Sequence, residues 1–324
     1  MNEPSPFTAM QAAIDIVRSS PHPTNKIAAT MFWPDDEAKE PISRTNHWPE
    51  AIDHTIGRDE KIGNSSGTVH AEVACIIAAG LMRQIPVKGA SLCLTDPFCP
   101  NCAKNLAESG VEAIYIDHKG FDKDFAKRRG DHFDNMSMRI AEKAGVNVYE
   151  INRKEQRIVP ICIAERGYRP ANENPIEIRD IPADELAEHV YRGLHYNPPA
   201  EKFGAALCHS ADGRRHLIIS PLHVAVGFEQ HYDADEIAHP KGKYSFYQEP
   251  VNRLLMVCAR YGYKIEDQMI YSHEAPTSRE QVNLIAAGIK SLMIGMTTRA
   301  RDKAALKALR QLKEANALSV KPIK

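Results

Sequence analysis

The tightest constraint on how this chain of 324 residues can fold lies between His70 and Cys102. His70-Ala71-Glu72 opens an apolar run, residues 90–95 read as a short β-segment, and Pro97-Phe98-Cys99-Pro100-Asn101-Cys102 closes the stretch. A catalytic zinc takes three protein ligands from His, Cys or carboxylate and leaves a fourth position for water. One His and a Cys pair three apart supply that number.

The Cys spacing has a geometric reason, because residues three apart on a helix share a face and can point at a common ion. Residues 103–109 contain no glycine and continue as a helix, which sets Cys99 and Cys102 in its first turn. Unpaired N–H groups there favour the thiolate that a metal needs. His70 opens the preceding helix in the same way. Glu72 is too close in sequence to His70 to serve as a fourth ligand and suits a proton-moving role beside a zinc-bound water, whose pKa falls to about 7. Cys-x-x-Cys alone also marks structural zinc knuckles and redox pairs. A closed structural site would want a further Cys or His nearby, and a redox pair leaves His70 and Glu72 without a purpose.

His70-Ala71-Glu72 followed by Pro97-x-Cys99-x-x-Cys102 resembles the signature of the cytidine and deoxycytidylate deaminase superfamily, in which zinc hydroxide attacks an amidine carbon and a Glu shuttles protons. Phe98 departs from the pattern, since the family usually has Pro directly before the first Cys. The resemblance covers about residues 6–152 and implies an α/β/α three-layer sandwich around a mixed sheet. It implies Zn2+ on His70, Cys99 and Cys102, with Glu72 catalytic. Asn46-His47-Trp48-Pro49 resembles the Asn-Gly-x-Pro loop of deoxycytidylate deaminases, which makes Asn46 a substrate-binding candidate beside its plainer reading as a turn residue. Phe98 could pack against the base.

Composition bounds the alternatives. A formal net charge of -1 gives no global attraction to a polyanion and weighs against a dedicated nucleic-acid binder. Seven cysteines without regular spacing fit a reducing cytoplasm rather than a disulfide framework. No apolar run reaches membrane length, and the first residues lack a basic region followed by an apolar core. These features are expected of a soluble cytoplasmic protein.

Along the chain, residues 7–18 have a helical period, 27–32 read as a buried strand, 42–45 as a second strand, and 53–67 as a polar loop. Arg58 and Lys61 in that loop are candidates for holding a nucleotide phosphate, although surface charge is the commoner explanation. Strand, helix and strand follow over 90–95, 100–109 and 111–116, an alternation that predicts parallel strands. Lys123, Lys127, Arg128 and Arg129 form a basic cluster read as a solvated face. Residues 133–144 read as a helix stopped by Gly145, with a last strand over 146–151. Residues 153–180, with Pro160, Pro170 and Pro175, read as a linker that crosses the domain surface, with room for one added strand.

The remainder, residues 181–324, reads as a second copy. A displacement of 178 sets Ala205-Ala206-Leu207 on Ile27-Ala28-Ala29, Gly288 on Gly110 and Ile294 on Ile116, with helices expected over 184–194 and 301–315. His70, Glu72, Cys99 and Cys102 are then met by Gln248, Pro250, Thr277 and Glu280, which cannot form a zinc triad. The domain expectation is therefore a catalytic domain over 1–152, a linker over 153–180 and a degenerate deaminase-like domain over 181–324.

The expected activity is hydrolytic deamination of a small cytosine nucleotide or nucleoside, dCMP-like, to its uracil counterpart with release of ammonia. Deamination of a purine base or of adenosine in RNA is the second reading. A binding or regulatory protein with a structural zinc is the third, and Glu72 speaks against it. The expected partners are a small-molecule substrate and either a second copy of the chain or an intrachain pseudo-dimer.

Overall fold

The computed structural model describes residues 5–123, 132–171, 176–237 and 245–323. Its first helix, α1 (Pro6–Val17), starts on a reciprocal cap in which the Ser5 hydroxyl accepts from Thr8 N–H and the Thr8 hydroxyl accepts from Ser5 N–H. Pro6 occupies the first helical position, where no N–H is required. The apolar face of α1 puts Ala9 and Met10 against Phe32, Cys93 and Ile151 on one side of the first sheet.

That sheet contains β1 (Ala28–Phe32), β2 (Ile42–Thr45), β3 (Ser91–Leu94), β4 (Ala113–Asp117), β5 (Asn147–Asn152) and β6 (Arg157–Cys162), in the order β2-β1-β3-β4-β5-β6. Strand β1 runs antiparallel to β2 and β3, whereas β3, β4 and β5 are mutually parallel. The face opposite α1 is covered by α3 (Ala71–Ile76), α4 (Pro100–Ser109) and α5 (Met138–Lys143). Helix α2 (Glu50–Thr55) occupies the start of the stretch expected as loop, with Glu50 and Asp53 in its first turn, where acidic side chains favour a helix start. Gly145, at φ +70°, ends α5 as expected. Lys127, Arg128 and Arg129 lie outside the described residues, and Lys123 pairs with Asp96 at 2.7 Å.

The segment read as a linker does more than connect. It supplies β6, antiparallel to β5, and β7 (Glu177–Asp180), antiparallel to a strand of the second sheet. Both are edge strands, and an edge can hold Pro160 because a ladder N–H is not needed on the open side. The second sheet adds β8 (Phe203–His209), β9 (Arg215–Pro221), β10 (Met269–Ala275), β11 (Ser291–Ala300) and β12 (Ser319–Pro322), in the order β12-β11-β10-β8-β9-β7. Here β8 is antiparallel to β9 and β10, and β10, β11 and β12 are parallel. Apart from the edge strands β6 and β7, which lie at opposite ends of their sheets, the strand directions run in the same sequence as in the first sheet. The displacement that carries Leu94 to Ser272 also carries its neighbour Ile116 to Ile294. The first strand is displaced by three residues fewer, since Gly204 opposes Ser272 where Ala29 opposes Leu94.

Helix α6 (Ala187–Tyr196) covers the outer face of the second sheet through Val190, Tyr191 and Leu194. On the inner face, α7 (Pro250–Tyr261) packs against α4 and against the wide-turn helical segment Ile77–Met82 that continues α3. One apolar cluster therefore runs between the two sheets and belongs to both halves. Gly80 permits this contact, because a Cβ there would lie 2.4 Å from Ala259 Cα. Among the described residues no helix is long and apolar enough to cross a membrane.

Candidate active site

Three backbone features aim the site. His70 caps α3 in extended conformation, Cys99 caps α4 in the same way, and Cys102 sits in the first turn of α4. Strand β3 runs between the two helices and sets their starts side by side. His70 Nδ1 is 3.2 Å from Cys102 Sγ and 3.6 Å from Cys99 Sγ, and the two sulfurs are 3.5 Å apart. Tetrahedral zinc with bonds of about 2.3 Å to sulfur and 2.0–2.1 Å to nitrogen separates its donors by roughly 3.5–3.8 Å. The spacing and the donor set fit that ion. His70, Cys99 and Cys102 are also the group among the described residues that could hold a metal.

Glu72 lies one residue into α3, buried at 4 % exposure, with its carboxyl beside Cys102. Burial raises its pKa, His70 opposes the shift and Cys99 adds to it. Burial also pushes the Cys102 thiol well up, which makes a bound cation the natural means of keeping that sulfur as thiolate.

A cavity of about 330 Å3 opens over the triad, within the size range of small-ligand sites. His70 and Cys99 form part of its wall, together with Asn101, Lys104 and the loop residues Lys61, Asn64, Ser65 and Ser66. The remaining wall comes from the second half: Glu249, Asn252, Thr277, Arg279 and Arg301. Burial lowers the Lys104 pKa to about 8, and its Nζ donates to the carbonyls of Ser245 and Tyr247.

The other residues singled out from sequence are set differently. Asn46 is buried, and its Oδ1 accepts from Ser20 Oγ at 2.8 Å and from Ile27 N–H at 2.9 Å, while its Nδ2 donates to Asn25 O at 2.8 Å. Its side chain ties the 20–27 segment to the end of β2 and does not line the cavity. Phe98 points into the core and meets Phe133 edge-on at 5.4 Å. Arg58 pairs with Asp53 at 2.7 Å, while Lys61 reaches the cavity wall. Sequence reasoning missed His22, which stacks on Trp48 at 5.6 Å and whose pKa is lowered by burial and by His70. It also missed every wall residue of the second half.

In that half, helix capping refines the positional match. Glu249 caps α7 as His70 caps α3, and Thr277 caps α8 (Ser278–Ala286) as Cys99 caps α4. Counted from these caps, Val251 holds the helix position that Glu72 holds in α3, where the displacement of 178 puts Pro250, and Glu249 holds the cap position where it puts Gln248. Glu280 keeps the position matched to Cys102. Its carboxylate accepts from Thr277 N–H and Oγ1 at 2.6 and 2.8 Å and from Val251 N–H at 2.7 Å. It thereby bridges the first turns of two helices, as a metal on His70, Cys99 and Cys102 would.

Residues 8–118 match the family described as the cytidine and deoxycytidylate deaminase zinc-binding region. A protein of Aliivibrio fischeri described as an uncharacterized deaminase in the luxG 3′ region is 27% identical over 103 residues, which are 32% of this chain and 65% of that protein. The chain thus spans about two thirds, and no more, of the relative's length. The crystal structure of dCMP deaminase from the cyanophage S-TIM5 in complex with dCMP and dUMP is 20% identical at a TM-score of 0.35, covering 44% of this chain and 94% of that one. Its apo form is 19% identical at a TM-score of 0.31, covering 47% and 100%.

Proposed function

We propose that this chain, whose residues 8–118 belong to the cytidine and deoxycytidylate deaminase superfamily, hydrolyses the amino group of a cytosine-type nucleotide or nucleoside to the uracil counterpart and ammonia. The observation that carries the reading is the convergence of His70, Cys99 and Cys102 donors within 4.8 Å of one another at a cavity wall, with the buried Glu72 carboxyl beside them. Zinc held by these three would supply a water acidic enough to act as nucleophile near neutral pH. His70, Cys99 and Cys102 would hold that ion beside the Glu72 carboxyl. Glu72 would carry one proton from the nucleophile to the ring nitrogen and a second from the hydroxyl added at the ring carbon to the departing amine, which leaves as ammonia.

The second half is, on this proposal, a copy of the same domain that has lost its metal. Support comes from the matching strand directions, from the paired helix caps and from Glu280 bridging two helix starts. It packs on the first half through a common core, in the manner of a dimer within one chain.

The test is ammonia release by zinc-loaded protein from cytosine, cytidine, CMP, dCMP, adenosine and guanine. Release from a cytosine compound is expected. Release from adenosine or guanine alone would replace the substrate assignment, and no release from any of the six would remove the deaminase reading.

A further inference from the structure

We infer that Gln311, in the half without metal ligands, is a positioning residue for the catalytic cavity: it holds the turn 62–65, which forms one of the cavity walls. That the cavity receives a cytosine compound rests on the deaminase reading. That the turn is held from the second half rests on its bonds alone.

The backbone N–H groups of the turn are all accounted for, two within it and two in the other half. Ile62 N–H donates to Ser65 O at 3.1 Å and Ser65 N–H donates to Ile62 O at 2.9 Å. At the tip, Gly63 N–H donates to Gln311 Oε1 at 2.8 Å and Asn64 N–H donates to Ser278 Oγ at 3.3 Å. Gln311 Nε2 donates in return to Lys61 O at 3.0 Å. One side-chain amide therefore grips the turn by a donor and by an acceptor.

The fit is close on the side facing the second half. Gly63 sits at φ +59°, and a Cβ there would lie 2.2 Å from Ser278 Oγ and 2.4 Å from the backbone oxygen of Ala304. Ala304 and Gln311 belong to one helix, α9 (Lys303–Glu314), and Ser278 opens α8, so the tip enters a notch between two helices that only glycine can fill. On its other side the same turn presents Asn64 and Ser65 to the cavity, flanked by Lys61 and Ser66.

The chain is fixed again before it reaches the triad. Thr68 O accepts from Arg279 Nη1, and Val69 exchanges backbone bonds with His47 at 2.8 and 3.2 Å. Releasing Gln311 thus loosens the wall and leaves His70 in place. Such a change weakens substrate binding without touching the chemical step, and it is read in KM rather than in kcat.

The experiment uses the zinc-loaded full chain as wild type, as Gln311→Met, which removes both bonds at similar size, and as Gln311→Glu, which keeps the acceptor for Gly63 alone. Hydrogen exchange over residues 60–69 is followed by mass spectrometry. KM and kcat are measured with whichever of cytidine, deoxycytidine, CMP and dCMP the wild type deaminates fastest. Gln311→Met is expected to exchange about tenfold faster in this segment. Its KM should rise about fivefold with kcat little changed and zinc retained. Gln311→Glu should fall between the two proteins in both readouts. An unchanged KM in Gln311→Met overturns the inference, whether kcat is kept or falls with the active fraction of a less stable protein. Unchanged exchange overturns it as well, because the turn would then be held without Gln311. If the wild type deaminates none of the four compounds, the deaminase reading falls and exchange alone decides: faster exchange in Gln311→Met keeps the holding role, and unchanged exchange removes it.

Discussion

Glu280 accepts the backbone N–H of Val251 at 2.7 Å, so that one carboxylate joins the first turns of α7 and α8. Both of its oxygens receive backbone N–H groups, which the amide of a glutamine could not do without turning N–H against N–H. Glu280→Gln is therefore expected to cost about 1–3 kcal/mol, the penalty for a buried donor left without a partner. Urea unfolding of the two proteins measures it.

The same residue gives a pH dependence with a defined sign. Burial, with Glu249 nearby, raises its pKa to about 7 against the pull of its donors. A carboxyl whose folded pKa exceeds the unfolded one binds its proton more tightly when folded, so its contribution to stability falls as pH rises from about 4.5 to about 7. Wild type should lose stability over that window relative to Glu280→Gln. Parallel curves for the two proteins would refute the assignment.

Arg253 and Glu108 form a second link between the halves, with Nε and Oε2 3.1 Å apart and both side chains sealed from solvent. Arg253 Nη2 also donates to the Val224 carbonyl. Removing one member leaves the other charge buried, and Arg253→Met should destabilise by about 3–5 kcal/mol. The double variant Arg253→Met/Glu108→Leu should recover part of that loss. A double-mutant cycle by chemical denaturation reads the coupling directly.

Gly80→Ala tests how close the halves must approach. The added methyl would fall 2.4–2.5 Å from Cα, Cβ and O of Ala259, where no flexible side chain can move aside. The helices must separate, and a loss of about 1–3 kcal/mol is expected from overpacking. A variant with unchanged melting temperature would mean that the contact between the segment 77–82 and α7 is looser than the structure has it.

The metal triad was legible because its information is local. Cys99 and Cys102 share a helical turn, and His70 opens the helix before the intervening strand, so residue type and spacing alone imply convergence. The element order around the triad and its parallel strands were legible for the same reason, since apolar runs and turn glycines mark β3, α4 and β4. The cavity wall was not. Arg279 and Thr68 are bonded across 211 residues of chain, and no short pattern announces such a contact. Asn46 shows the converse problem. Its polar neighbours in sequence suit a ligand contact, yet the side chain is occupied by Ser20, Asn25 and Ile27, which return to it only in the folded chain. The first-strand offset failed because short apolar strands tolerate a slip that only cross-strand pairing can decide.

Glu72 and the metal ligands should separate cleanly by experiment. Glu72→Gln keeps the shape of the side chain and removes its proton chemistry, so turnover should fall by roughly 10²–10⁴-fold with bound zinc retained at one per chain. His70→Ala and Cys99→Ala remove a donor and should lose both zinc and turnover. Chelation should abolish turnover while leaving the far-ultraviolet circular dichroism in place, because the sheets and helices rest on an apolar core that extends through both halves. Metal analysis, activity and circular dichroism on the same samples distinguish these cases. Full activity in Glu72→Gln would show that the proton travels by another route, and unfolding on chelation would show that the ion holds the first half together.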